Sequence, residues 1–259
     1  MLVVIDAGNS NVVIGLYKSD ALVTHWRIMT AGYRTADELR IQFGMLMHEA
    51  GYNPKEVTGC CISSVVPQLN SALVQVAHDA FRVEPIMVEP GIRTGVKLHT
   101  ENPKELGADR LVNAVGAAEE YPGEKIIVDF GTATTLDYIT AANEYKGGII
   151  LAGIQLSANA LFEHCAKLPR VDVAVPEKAI GRNTVDAISS GLTYGYAEMI
   201  DGLVRRMSRE MGGKPRVIAT GGLAESIGPL SATINVVDPL LTMKGLKAIY
   251  FKNAKVAAA

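Results

Sequence analysis

An apolar run at residues 2–5 and a β-rich run at 12–17 enclose Gly8-Asn-Ser-Asn11, a stretch of turn formers, and predict a hairpin with a polar tip. A third apolar run, 22–29, extends the hairpin into a meander. A helix follows. Thr35 and Glu38 have capping-box spacing, Leu39, Phe43, Leu46 and Met47 recur on one helical face, and Gly51 is its stop. Strand-like 59–66, helical 69–81 and strand-like 85–88 then alternate as the layers of an α/β fold do. After a loop with proline and glycine at 90–103, residues 104–120 read as a helix, and Pro122-Gly123 is the clearest break in the chain.

Beyond that break the plan recurs. An apolar strand at 124–129 runs into Asp129-Phe-Gly-Thr-Ala-Thr-Thr135, a second strand continues to residue 140, and 148–154 reads as a buried strand. Helical patterns at 157–167 and 184–211, a strand at 216–220 ending in Gly221-Gly222, and a last helix at 240–251 complete the half. Each half therefore opens with an apolar strand, an Asp-x-Gly turn and a second strand. The expected division is 1–121 and 122–259, and 259 residues suffice for two domains with separate cores.

Composition narrows the partners. With 48% apolar and 20% charged residues and a net charge of −2, the chain has no basic field to hold nucleic acid or an anionic membrane. No apolar run approaches the length of a membrane span or of a secretory signal. Three cysteines, two of them adjacent at Cys60 and Cys61, make no paired disulfide framework, which points to the reducing cytoplasm.

The repeated turns carry the candidate chemistry. In Asp6-Ala-Gly-Asn-Ser-Asn11, a positive φ at Gly8 would let backbone N–H groups converge on an anion, with Ser10 and Asn11 adding donors. The ordinary reading, a hairpin tip made of Asx-turn residues, carries about even weight for this turn alone. The second turn has the same grammar, with three threonines as donors. Two such turns facing each other across a cleft would hold nucleotide phosphates from both sides, with Asp6 or Asp129 orienting a cation. Gly221-Gly222 would let a flat ring lie on the backbone. At Gly107-Ala-Asp-Arg110 the ordinary reading is a carboxylate complementing a helix dipole, but Arg110 suits a substrate carboxylate beside an acid that accepts a hydroxyl proton. Glu163, His164 and Cys165, and Met45, Met47 and Met199, read as packing residues.

In this order, Asp6-Ala-Gly-Asn-Ser-Asn11, Gly107-Ala-Asp-Arg110, Asp129-Phe-Gly-Thr132 and Thr220-Gly-Gly222 resemble the type III pantothenate kinases of bacteria, members of the actin/hexokinase/Hsp70 superfamily. Ser64-Val-Val-Pro67, Ala166-Lys-Leu-Pro169, Gly181-Arg-Asn-Thr184 and Asp238-Pro extend the resemblance over nearly the whole chain. It implies two ribonuclease H-like α/β domains and ATP-dependent phosphorylation of pantothenate on its primary hydroxyl, the first committed step towards coenzyme A. By the same resemblance Asp109 is the general base, and Thr100, Gly107, Ala108, Asp109 and Arg110 line the pantothenate site, completed by Thr184 from a second copy in a homodimer. Asp6, Ala7, Gly8, Asn9, Ser10, Asn11, Val12, Val13, Thr132, Gly221 and Gly222 would contact ATP. Asp6 would sit near magnesium, and Asp129 would hold potassium or ammonium.

Two positions depart from the family pattern: Thr100 stands where many relatives have tyrosine, and Ala152 replaces a proline before Gly153. Neither removes a proposed catalytic group. The rivals are a kinase of another small hydroxy acid on the same fold and a nucleotide-binding homologue without turnover.

Overall fold

The computed structural model describes residues 1–30 and 33–254, which form two compact units. The first is built on a sheet of order β3-β2-β1-β4-β5, with β1 Leu2–Ala7, β2 Asn11–Lys18, β3 Ala21–Met29, β4 Gly59–Ser64 and β5 Ile86–Met87. β1 pairs antiparallel with β2 and parallel with β4. The two faces of β1 are covered differently. Val3, Ile5 and Ala7 pack in one cluster with Leu39, Phe43 and Met47 of α1 (Ala36–Glu49) and Leu69 and Leu73 of α2 (Pro67–Val76). Full burial of each of the larger of these side chains, from valine upwards, is worth about 1.5–3 kcal/mol.

The start of α1 follows from its sequence. Glu38 N–H donates to Thr35 Oγ1 at 3.2 Å and Thr35 N–H donates to the Glu38 carboxylate at 2.8 Å, so both donors of the capping box are satisfied. Gly51 terminates it at φ +80. Met47 is buried as expected, whereas Met45 is exposed on the opposite side of the same helix. The helix expected from residue 104 begins later. Asn102 caps a single 3-10 turn, Pro103–Glu105, and Gly107 interrupts it, so α3 is Ala108–Glu120.

The second unit contains a sheet of order β11-β10-β7-β8-β9-β6. Its strands are β6 Lys97–Leu98, β7 Lys125–Phe130, β8 Ala133–Ile139, β9 Glu144–Ala152, β10 Arg216–Thr220 and β11 Val236–Val237. β7 pairs antiparallel with β8 and parallel with β10, as β1 does with β2 and β4. Ile126, Val128 and Phe130 pack with Ile154 and Ala158 of α4 (Ile154–His164) and with Ile188, Leu192, Ile200 and Val204 of α5 (Thr184–Met211). A short helix, α6 Ala224–Ile227, follows β10. The two-residue strands β6 and β11 have no periodicity to betray them in sequence.

One expected boundary is corrected. The last helix, α7 Leu241–Ala254, was expected with 122–259 but packs on β1 and β4 of the first unit. Glycines make room for it: a methyl group on Gly59 would collide with the Tyr250 ring, and one on Gly15 would lie 3.0 Å from the Met243 sulfur. Gly116 of α3 meets the Leu241 carbonyl, and Gly245 of α7 meets the Val112 carbonyl, so the two helices approach backbone to backbone. Residues 97–100 in turn belong to the second unit, and positions 255–259 lie outside the described residues.

Candidate active site

In the first unit, β1 ends at Asp6 and Ala7, and the following turn closes through Gly8 N–H donating to the Asn11 carbonyl at 3.0 Å. Thr30 anchors it. Its hydroxyl donates to the Gly8 carbonyl at 2.7 Å and its N–H to the Ser10 carbonyl at 3.0 Å. The positive φ expected at Gly8 is not adopted, because β1 and β2 connect without a left-handed residue. What the glycine supplies is close approach, since a methyl group there would lie 3.2 Å from the Asn11 carbonyl oxygen. Asn9 and Ser10 are exposed, Asp6, Asn11 and Val13 are half-buried, and Ala7 and Val12 lie in the core. The tip thus offers polar groups on a rigid apolar base.

The same unit brings the Gly107-Ala-Asp-Arg110 segment beside that turn through Val65. Val65 N–H donates to the Ala7 carbonyl at 3.0 Å, and a methyl group on Gly107 would lie 3.9 Å from Val65 Cγ1. Asp109 is in the first turn of α3, where its Oδ1 accepts from Arg110 N–H at 2.8 Å. A methyl group on Gly107 would lie 2.5 Å from that oxygen, so the glycine leaves the carboxylate its place. Gly107, Ala108, Asp109 and Arg110 are all half-buried.

In the second unit Asp129 lies between Thr135 of β8 and Thr220 of β10 in strand register. Two glycines press on this turn. Gly153 N–H donates to the Thr132 carbonyl at 3.0 Å, and a methyl group on Gly153 would lie 2.6 Å from the Gly131 carbonyl oxygen. Gly221 has φ +92, and a methyl group there would strike Asp129 Oδ1 and lie 2.8 Å from the Phe130 nitrogen. Its first role is thus to admit the Asp129 carboxylate. Gly222 is exposed beside it.

Of the three threonines expected as phosphate donors, only Thr132 is exposed. Thr134 is fully buried opposite Phe130, and Thr135 donates to Asp137 at 3.3 Å. Strand alternation separates them: Thr134 faces the helices, and Thr135 joins a buried row in which Tyr145 Oη donates to Asp137 at 2.5 Å. At the other end of β7, burial holds the Lys125 ammonium below the ordinary lysine pKa, with Asn143 Oδ1 at 3.3 Å. Tyr138 donates to Glu124 at 2.6 Å and is pushed up to about 12, first by burial and then by that carboxylate.

Thr184 is exposed at the start of α5, whose cap is Asn183 Oδ1 accepting from Asp186 N–H at 2.8 Å. Thr100 is half-buried, and its hydroxyl is a buried atom with no hydrogen-bond partner among the described residues. A concavity of about 590 Å³ also lies in this unit, lined in part by Arg205, Arg209, Lys214 and Val217. It opens at the amino end of β10, away from Gly221, and its cations sit where they complement the carboxyl end of α5.

Sequence reasoning missed Thr30 and Ser63 and assigned no role to Val65 or Gly153, which shape the turns from neighbouring strands. Only pairing register reveals them. Ser63 stands beside Asp6 across the parallel β1–β4 ladder, as Thr220 stands beside Asp129 across β7–β10.

The family profile of type III pantothenate kinase matches residues 2–206. The chain belongs to the type III pantothenate kinases. It is 47% identical over 253 residues to the type III pantothenate kinase of Halalkalibacterium halodurans, covering 98% of this chain and 100% of that one. The type III pantothenate kinase of Exiguobacterium sibiricum is 49% identical over 253 residues, again covering 98% and 100%. Among solved structures, a Baf-family protein of Campylobacter jejuni superimposes with a TM-score of 0.62 at 21% identity, over 98% of this chain and 99% of that one. That likeness bears on the fold alone. As a type III pantothenate kinase, the chain is a phosphotransferase of coenzyme A biosynthesis that uses ATP, and its two units repeat one α/β plan.

Proposed function

We propose that Asp109 is the general base in transfer of the ATP γ-phosphoryl group to the primary hydroxyl of pantothenate. The observation that carries this is the placement of Asp109: Oδ1 is held by Arg110 N–H at 2.8 Å, and its segment lies beside Val65, whose N–H donates to the Ala7 carbonyl at the base of the Asp6–Asn11 turn. With Oδ1 fixed, Oδ2 takes the hydroxyl proton as the alkoxide oxygen bonds to the γ-phosphorus and the bond to the bridging oxygen of ADP breaks. The proton passes from Asp109 to solvent after product leaves. Arg110, half-buried on the same turn, presents its guanidinium fork to the pantothenate carboxylate. Positioning and charge neutralisation supply most of the remaining rate.

Asp6 with Ala7 to Val13 is assigned to the phosphates on the first unit, and Thr132, Gly221 and Gly222 to the nucleotide on the second. The donors around both aspartates are oxygen, which suits hard cations: magnesium at Asp6 and potassium or ammonium at Asp129. Such cations offset the repulsion between ATP and the two carboxylates. The orphaned hydroxyl of Thr220 beside Asp129 fits an oxygen-ligand shell. The enzyme is assigned as a homodimer in which Thr184 of one copy completes the pantothenate site of the other. Ile180, 85% exposed, and Val185, also exposed, flank Thr184 and would be covered by a second copy.

ADP release that requires both ATP and pantothenate, and rises with potassium or ammonium, tests the assignment. Asp109→Asn should lower turnover by about 10²–10⁴-fold while leaving the fold intact. Near wild-type turnover in that variant would remove Asp109 from the role of base. Size-exclusion chromatography with light scattering tests the dimer, and a fully active monomer would remove Thr184 from the site.

A further inference from the structure

Ser63 and Thr220 share an unusual state. Ser63 is wholly buried and Thr220 is 1% exposed, yet neither hydroxyl has a hydrogen-bond partner among the described residues. A buried hydroxyl left unpaired is costly, so natural folds retain few. These two occupy the same place in the two units. Each lies near the carboxyl end of the strand running parallel to the central one, directly across from the aspartate of the Asp-x-Gly turn: Asp6 with Ser63, Asp129 with Thr220. Register places each hydroxyl on the same sheet face as its aspartate, with Cβ atoms about 5 Å apart.

The other orphaned hydroxyls lack that setting. Thr134 pairs in register with apolar Phe130, on the face that packs against helices. Packing alone would favour alanine or valine at Ser63 and Thr220. Occurring twice at matched positions, the feature points to a group brought in with the ligands.

We propose that Ser63 and Thr220 are a matched pair of positioning residues. In the liganded enzyme each hydroxyl hydrogen-bonds an oxygen of the hydrated cation or phosphate group held at the adjoining aspartate, and so fixes the orientation of that carboxylate. This rests on the assignment of Asp6 and Asp129 made above. It adds one residue per unit and a reason for the unpaired hydroxyls: they are unsatisfied before binding and satisfied by it.

The test separates that role from a packing role by melting the full-length protein with and without ATP, magnesium and potassium chloride. Thr220→Val removes the hydroxyl at constant shape. Its ligand-free melting temperature should equal the wild-type value or exceed it by about 2–4 °C, because an unpaired group has been lost. The shift produced by ATP, magnesium and potassium should fall to less than half of the wild-type shift. Half-saturating potassium in the kinase assay should rise about 10-fold with turnover at saturating potassium nearly unchanged, the size expected for one hydrogen bond to a charged group. Thr220→Ser should restore both readouts, and Ser63→Ala should behave as Thr220→Val does, with magnesium in place of potassium. Thr134→Val serves as the control: it removes an orphaned hydroxyl away from an aspartate and should leave the ligand shift unchanged.

A wild-type ligand shift in Thr220→Val and Ser63→Ala, or a ligand-free melting temperature several degrees below wild type in Thr220→Val, would overturn the inference alone. Wild-type protein with no ATP-dependent shift and no turnover would overturn the phosphotransfer assignment and this inference together.

Discussion

At the scale of single residues, the site depends on glycines that let other groups come close. Gly221 combines a left-handed φ of +92 with the Asp129 carboxylate lying where a side chain would be. Gly221→Ala should therefore cost about 1–3 kcal/mol in urea unfolding from backbone strain alone, and should also weaken ATP binding by displacing Asp129. An alanine variant with unchanged midpoint and unchanged ATP affinity would contradict this. The sequence points to Gly221 and Gly222 as a seat for a flat ring, and only the fold shows that Gly221 first accommodates a carboxylate across β7–β10. Asp109 was visible as an acid beside Arg110 near a helix start, because both are local features. That its Oδ1 is held by the next backbone N–H is a side-chain orientation, which spacing does not encode.

At the scale of elements, buried polar groups fix the connections. Asp201 on α5 is buried and accepts from the hydroxyls of Ser231 at 2.5 Å and Thr233 at 2.6 Å and from the N–H groups of Ala232 and Thr233, so one carboxylate shapes the whole 231–234 turn. Burial by itself would raise its pKa, but the four donors outweigh that and hold it below the ordinary aspartate value. A depressed carboxylate stabilises the fold above its unfolded pKa and loses that contribution as pH falls through its folded pKa. Asp201→Asn should thus cost about 1–3 kcal/mol at neutral pH, with the gap to wild type closing below about pH 4. Urea titrations at several pH values check this, and a gap that persists in acid would contradict it. The capping box of α1 was readable because it is written within four residues, Thr35 to Glu38. The Asp201 turn joins residues 30 and more apart and left no local mark.

At the scale of the whole molecule, the duplication was legible because each half repeats the same local order of strand, Asp-x-Gly turn and strand. The allegiance of α7 was not, since an apolar helical pattern at 240–251 says that a helix covers a sheet and not which one. Leu2, Val4 and Cys61 are buried on strands that α7 packs against. A chain ending at residue 240 should expose that face, bind a hydrophobic dye such as anilinonaphthalene sulfonate, and yield to protease within the first unit. Protection of residues 1–96 equal to that in the full-length protein would refute this. The return of α7 also orders biosynthesis. Because β1 leaves the ribosome before the second unit and α7 leaves after it, the sheet of the first unit waits through synthesis of the second unit with one apolar side open. The half made first is finished last, and it is the half that a nascent-chain chaperone would need to shelter.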